Sequence, residues 1–591
     1  RPFDGDMTRF DTKTKQDQDV SPTLEYPGIY RSTWTLPVLF SPRNPHVLYT
    51  SNQVLFRTDD GGSHWTVISP DLSRKDPGVP SNLDPATAAD SAIAGPRRGV
   101  IYTIAPSPLV DGEIWAGTDD GLIWLTRDEG QHWTNVTPPA LTPWSKVGII
   151  EASHFDANTA YAAIDRHRLN DYKPYIYVTH DAGKSWTLMV HGIPDGDFVN
   201  VVREDPVKRG LLYAGTEKQM YVSFDGGEDW QSLQLNLPVT SMRDIDVHGN
   251  DLVLATFGRG FWILDDVSAL RQLDAKVAAA PVHLFKPAAA YRIRPGGFLS
   301  TPLPKDEPQA NNPPNGALID YTLQSDATTP VTLEIRDASG QVVHRYSSAD
   351  TPAPPDLQTL TITPDWIKPP STLSTRAGMH RFVWDMHYAR PQALRGGAAG
   401  DDSGDGVWAP PGQYTVTLAA DGHRESQPLE IRKDPRVPVT QAALQQQFAL
   451  ARRVEAQRLV LTHASAEARH VLTQVEALRG QASPAVADAL QTFTRHVAAV
   501  AGVNPAANPD NSVGAPPANL TSLHYLTGAF ANLEASVEGA DAAPTVGQRQ
   551  AFAKQMQTLT RTLAQWQHLK QVELPQLNTQ LRAAGLQPVT P

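Results

Sequence analysis

The chain has 591 residues, 40% hydrophobic and 19% charged, with a formal net charge of −12; this is a globular composition with room for three or four domains. The acidic balance argues against nucleic acid as a partner, because phosphates call for a basic surface. The absence of cysteine excludes disulfides, zinc–thiolate sites, iron–sulfur clusters and thiol nucleophiles, and no apolar run approaches the roughly 18–20 residues of a membrane-spanning helix. The 50 prolines and 13 tryptophans point to many turns and short strands.

The chain opens Arg1-Pro2-Phe3-Asp4-Gly5, without an initiator methionine or a visible signal peptide. Residues 6–11 and 17–22 read as the two strands of a hairpin without its neighbours. The expectation is a fragment or processed chain that begins inside a repeat.

An internal repeat governs the first 270 residues. Four octads share the form [Ser/Thr]-x-Asp-x-Gly-x-x-Trp: Thr58-Asp60-Gly62-Trp65, Thr126-Asp128-Gly130-Trp133, Thr179-Asp181-Gly183-Trp186 and Ser223-Asp225-Gly227-Trp230. Their uneven spacing with a constant form means constant units joined by variable loops. Asp suits a turn because its carboxylate bonds backbone N–H groups a few residues on. Gly supplies positive φ, the hydroxyl caps the turn, and Trp starts the next strand and packs on a neighbouring sheet. The four octad aspartates are therefore read as structural. Each octad follows an apolar strand pair, such as residues 114–118 with 122–125. A fifth, degenerate copy at 252–265 keeps the strands but lacks the octad's Gly and Trp. Four short strands per repeat make one propeller blade. Five blades between about 30 and 270 are expected, after a partial one at 5–22.

The octads resemble the Asp-box, or BNR, repeats of sialidases, sortilin-type receptors, xyloglucanase-type glycosidases and photosystem assembly factors. The runs Phe257-Gly258-Arg259-Gly260-Phe261-Trp262 and Val202-Arg203-Glu204-Asp205-Pro206, with the downstream layout, resemble exported bacterial proteins labelled BNR-repeat glycosyl hydrolases. The resemblance implies a periplasmic or secreted protein with further blades upstream. Fold does not imply activity.

Residues 273–315 are Ala/Pro-rich and read as a connector. From Leu318 short alternating strands, ending at Pro428–Ile431, suggest an immunoglobulin-like sandwich, with Gly396–Gly406 a flexible loop. From Thr440 the period becomes helical. Phe552, Met556, Leu559, Leu563 and Trp566 form a heptad seam, Thr545 with Gln548 a capping box, and Ser483-Pro484 a helix start; Asn504–Asn519 reads as a loop between helices. The expected fold class is mainly β: a multi-bladed β-propeller with Asp-box repeats (1–272), a connector and β-sandwich (273–436), and an α-helical bundle (437–591) whose seam offers either an intramolecular core or a homo-oligomer contact.

Chemistry is expected on the face where the loops between second and third strands of each blade emerge, together with the Pro70–Arg98 connection as a rim. These loops carry Asn52, Gln53, Asp119, Asp120, Asp165–Tyr172, Glu217, Lys218 and Arg259. A glycosidase needs two carboxylates about 5–10 Å apart, for which Asp119, Asp120, Asp165 and Glu217 are candidates; the bland reading makes them solvated turn charges. A binding site would draw on Arg166, His167, Tyr172, Lys218 and Arg259, with Arg168 a further cation. Histidines 167, 180, 463 and 470 lack metal-ligand spacing, and Asp401, Asp402 and Asp405 form no complete Ca²⁺ loop. No cofactor motif is present. The leading expectation is an extracytoplasmic protein that binds a glycan or peptide on the loop face. A glycoside hydrolase and an assembly factor are the alternatives.

Overall fold

The computed structural model describes residues 6–25, 30–79, 96–294, 313–351, 357, 363–364, 371–394, 406–481, 483–502 and 519–591. Residues 80–95 of the Pro70–Arg98 rim, the Gly396–Gly406 loop up to residue 405 with its three aspartates, and the Asn504–Asn519 loop up to residue 518 lie outside them. The protein is mainly β, built of small antiparallel sheets, with a helical C-terminal region. It divides into two compact units, Arg1–Arg271 and Gln272–Pro591.

The first unit opens with a hairpin, Thr8–Phe10 paired with Asp17–Asp19. Four four-stranded meanders follow. Their first strands are Val38–Phe40, Ile101–Pro106, Lys146–Ala152 and Val199–Glu204. Their last are Thr66–Val67, Thr134–Asn135, Thr187–Leu188 and Gln231–Ser232. The fifth sheet has three strands rather than four, Ser241–His248, Asp251–Phe257 and Phe261–Leu264. This corrects the expectation of five complete blades. The degenerate repeat has no Gly-x-x-Trp to turn the chain back, and at Val267 the backbone N–H bonds Asn250 O instead. This sheet buries Leu252 and Leu254 on one face, while Phe257, Phe261 and Ile263 stand exposed.

Each octad closes the turn between third and fourth strands with the same bonds. In the first, Thr58 Oγ1 donates to Asp60 Oδ1 (2.9 Å), Gly62 N donates to Thr58 Oγ1 (3.1 Å) and His64 N donates to Asp60 Oδ1 (3.0 Å). The second, third and fourth octads repeat this set around Asp128, Asp181 and Asp225. The carboxylates are held below their ordinary range. For Asp181, down to about 2, the Ser185 hydroxyl contributes most and the Ser185 N–H next.

The octad also joins sheet to sheet. Trp65 Nε1 donates to Val20 O (2.8 Å), Trp133 to Ile68 O (2.9 Å), Trp186 to Val136 O (2.7 Å) and Trp230 to Met189 O (3.1 Å). Every acceptor directly follows the last strand of the preceding sheet, so the hairpin stands to the first sheet as each sheet stands to the next. Gly62 packs over the same place: at φ +87°, an added Cβ would lie 2.8 Å from Val20 Cβ. Trp65 and Trp230 are buried, whereas Trp133 and Trp186 are half-buried, less than the sequence led us to expect.

In the second unit two sheets cover one core containing Ile319, Leu333, Trp384 and Val416. The 273–315 connector is not structureless: Val282–Leu284 and Ala290–Arg292 each add an edge strand, the first beside Ala317–Leu323 and the second parallel to His423–Lys433. β-structure ends at Lys433, and the helix Gln441–Leu478 starts after its N-cap Thr440. Further helices are Pro484–Ala501, Leu523–Glu538, Val546–His568 and Leu574–Ala583. The Thr545–Gln548 capping box is formed. The heptad seam turns inward: Phe552, Leu559 and Trp566 are buried, with Met556 and Leu563 packed against the same core. Buried Arg292 ties its strand to the helix Gln441–Leu478 through Gln447 Oε1 (3.3 Å), and to Asp541 (2.9 Å) and Ala409 O (3.2 Å) in loops. No helix among the described residues is long and apolar enough to cross a membrane.

Truncating a buried octad tryptophan removes both packing and the bond to the next sheet. Trp65→Ala and Trp230→Ala are each expected to cost about 3–5 kcal/mol in urea unfolding, and Trp133→Ala and Trp186→Ala less. Losses below about 1 kcal/mol at Trp65 and Trp230 would show the octads to be surface decoration.

Candidate functional site

A meander puts the start of its first strand and the link between its second and third strands at one end, here the loop end. The octad turns lie at the other. Most sequence-predicted residues emerge at the loop end, but burial divides them.

Asp119 and Asp120 follow Ile114–Thr118, and neither is a solvated charge. Asp120 Oδ1 accepts from Thr118 Oγ1 (2.5 Å), and Oδ2 from Arg74 N (2.8 Å). Arg74 also donates through Nε to Asp120 O (2.8 Å). Asp120 therefore pins the 70–79 segment to the second sheet. Arg31 does similar work with Asp71, Ser73 and Gly99 O, while Asn52 Nδ2 donates to Arg31 O and Gln53 accepts from Arg31 N. Asp119 Oδ1 accepts from Val100 N (2.8 Å). Burial first, then the Asp120 carboxylate, push Asp119 up to about 7 against the pull of Val100 N–H, Arg168 and Lys146.

Asp165, at the end of Ala160–Asp165, is also buried. Its Oδ1 accepts from His167 N (2.9 Å) and meets His167 Nδ1 at 2.6 Å. Burial alone would raise its pKa, but the His167 ring and Lys146 outweigh it, and the carboxyl lies below its ordinary value. Lys146 pairs with Asp165 across the strands, and its Nζ lies 3.8 Å from the Tyr102 ring centre. Arg166 is engaged by Asp171 (3.2 Å) and the Tyr175 ring.

The exposed part of the site is two rings, His167 and Tyr172, that cover the buried ring of Phe198. The His167 ring stacks on Phe198, with centroids 5.1 Å apart at 20°, and Tyr172, 50% exposed, is tilted against the same Phe198 ring with centroids 6.3 Å apart. Phe198 O accepts from Glu217 N (3.0 Å), and Lys218 Nζ donates to Gly196 O (2.8 Å). Glu217 Oε2 accepts from Ser241 Oγ (2.7 Å) and lies 3.6 Å from Arg243. Thus His167, Tyr172, Glu217 and Lys218 gather around Phe198. Arg259 is exposed on the fifth sheet, and among the described residues no hydrogen bond or ion pair joins it to the 165–172 loop.

Sequence reasoning missed Phe198, Lys146, Tyr102, Ser241 and Arg243. Each lies within the first three residues of a first strand or just before it, so strand order alone could have pointed to them. Among the described residues no group of three His, Asp or Glu side chains is placed to hold a metal ion.

No protein-family model and no curated protein matches the chain. Among solved structures it is similar to the GH74 xyloglucanase from Xanthomonas campestris (12% identity, 38% of this chain and 35% of that one, TM-score 0.28). It is also similar to a Niastella koreensis GH74 enzyme (14% identity, 39% and 29%, TM-score 0.27) and to YCF48 bound to D1 peptide (15% identity, 44% and 93%, TM-score 0.21). The chain spans about a third of the length of the two enzymes. These likenesses are local, and the fold described above stands on its strand pairings.

The raised Asp119 pKa has a definite sign. Its contribution to stability is full below the unfolded carboxyl value of 3.8 and is lost as pH rises through about 7. Asp119→Asn should therefore flatten the fall in stability between about pH 4 and about pH 7. Parallel pH profiles for wild type and variant would contradict this.

Proposed function

We propose that the five sheets are part of an extracytoplasmic β-propeller that binds a glycan or peptide at its loop end. The observation that carries this reading is the aromatic shelf of His167 and Tyr172, backed by buried Phe198, with Glu217 and Lys218 beside it. An exposed aromatic face stacks on a sugar ring or an apolar side chain, while flanking charges fix hydroxyls or amides. Extracytoplasmic placement rests on the cysteine-free composition and the resemblance to exported proteins. The buried carboxylates favour binding over catalysis, because the oxygens that hold Asp120 and Asp165 in place already accept hydrogen bonds from the chain.

A glycoside-hydrolase reading has one observation in its favour. Asp119 is held toward the protonated form and Asp165 toward the ionised form, as an acid and a base would need to be. Both are buried, so substrate would have to displace covering residues to reach them.

The test is a glycan and peptide binding screen with the whole chain, repeated with His167→Ala combined with Tyr172→Ala. Affinity for any ligand found should fall at least about tenfold, with little change in Tm because these rings are partly exposed. Unchanged affinity in the double variant would remove the shelf from the site. Hydrolysis of a bound glycan that Asp119→Asn abolishes would establish the enzyme reading instead.

A further inference from the structure

The first strands of all five sheets line one cavity of about 350 Å³ at the octad end, opposite the aromatic shelf. Glu151, His154, Arg203 and Glu204 contribute its charged lining, and Asp246 joins them from the fifth sheet. Leu39, Ile104, Ile150 and Val247 supply apolar wall, together with prolines from three of the strand ends.

The donors in this cavity are already used. Arg203 donates through Nε to Ile245 O (2.8 Å), Nη1 to Glu151 Oε2 (3.0 Å) and Nη2 to Asp244 Oδ1 (2.8 Å). His154 turns Nε2 to Glu151 Oε1 (3.2 Å) and its backbone N–H to Glu204 Oε2 (2.7 Å), which also takes the Ser153 hydroxyl (2.7 Å). Arg203 is a bracket between three strands and offers no free fork to an anion. Three carboxylates line the cavity, Glu151, Glu204 and Asp246, against one guanidinium and one imidazole. Asp246 is exposed and has no hydrogen bond or ion pair among the described residues.

An acceptor-rich cavity with a hydrocarbon wall selects a donor-rich cation on an aliphatic stem. We propose that the octad-end cavity binds an alkylammonium or alkylguanidinium group, carried either by a free polyamine or by a lysine or arginine side chain of a peptide. The ammonium would sit between Asp246 and the free lone pairs of Glu151, with its methylenes against Ile104, Ile150 and proline. The cavity and the loop end use opposite ends of the same five strands, so this site stands or falls independently of the aromatic shelf.

The experiment is calorimetric titration of the whole chain with 1,5-diaminopentane, with N-acetyl-lysine methylamide and with uncharged pentane-1,5-diol. Saturable one-to-one binding of either cation, with none of the diol, is the expected result. Binding of the diamine alone assigns a free polyamine, and binding of the capped lysine alone assigns a peptide side chain. Asp246→Asn and Glu151→Gln should each weaken binding at least about tenfold, while Tyr172→Ala leaves it unchanged. Should Glu151→Gln fail to fold through loss of the Arg203 bracket, Asp246→Asn decides alone. The proposal is overturned if neither cation binds, if the diol binds as well as they do, or if Asp246→Asn binds with wild-type affinity.

Discussion

Everything in the first unit depends on the octad's indole bond. Short two-residue strands such as Thr66–Val67 and Thr134–Asn135 cannot hold a sheet together unaided. The Ser/Thr–Asp–Gly bonds fix the turn, and the turn aims Trp Nε1 at a carbonyl just past the last strand of the preceding sheet. One local motif therefore closes a hairpin and sets the distance to its neighbour. Where the motif is lost, in the fifth repeat, the fourth strand is lost too and one apolar face stays open.

With the sheets locked side by side, their first strands present two different ends. At the loop end the strands start with Lys146 and Ser241, and aromatic and acidic residues gather around Phe198. At the octad end lie Glu151, which Arg203 holds, Glu204, which takes the Ser153 hydroxyl and the His154 N–H, and exposed Asp246. Asp120, whose pKa burial raises, serves architecture: it holds a loop, and burying it without Arg74 and Thr118 would be costly. A shifted carboxylate is therefore weak evidence of catalysis unless it opens to a ligand.

How much was legible follows from range. The octads could be read because their bonds span two to four residues, and the helical caps and seam could be read for the same reason. The strand pairs flanking each octad were equally plain. The three-strand fifth sheet was within reach, since its missing Gly and Trp were visible. The connector strands Val282–Leu284 and Ala290–Arg292 were not, being three residues each and defined by partners far along the chain. Asp119 and Glu217 lie in links between second and third strands and Asp165 ends a second strand, but the burial of Asp119 and Asp165 was invisible because it comes from the segments packed over them. Phe198 and Arg203 carry no local pattern. They matter because strands from different repeats bring distant residues to them.

The central claim is that indole bonds couple successive sheets into one cooperative unit. Hydrogen exchange at the Trp65, Trp133, Trp186 and Trp230 indoles, followed by nuclear magnetic resonance on tryptophan-labelled protein, tests it most directly. The account predicts that all four exchange slowly and with the same free energy of opening as the amides of Lys146–Ala152 and Val199–Glu204. Indole protons that exchange at the rate of exposed loops, while those strand amides remain protected, would show that the sheets hold together without the octad bond and would contradict the account.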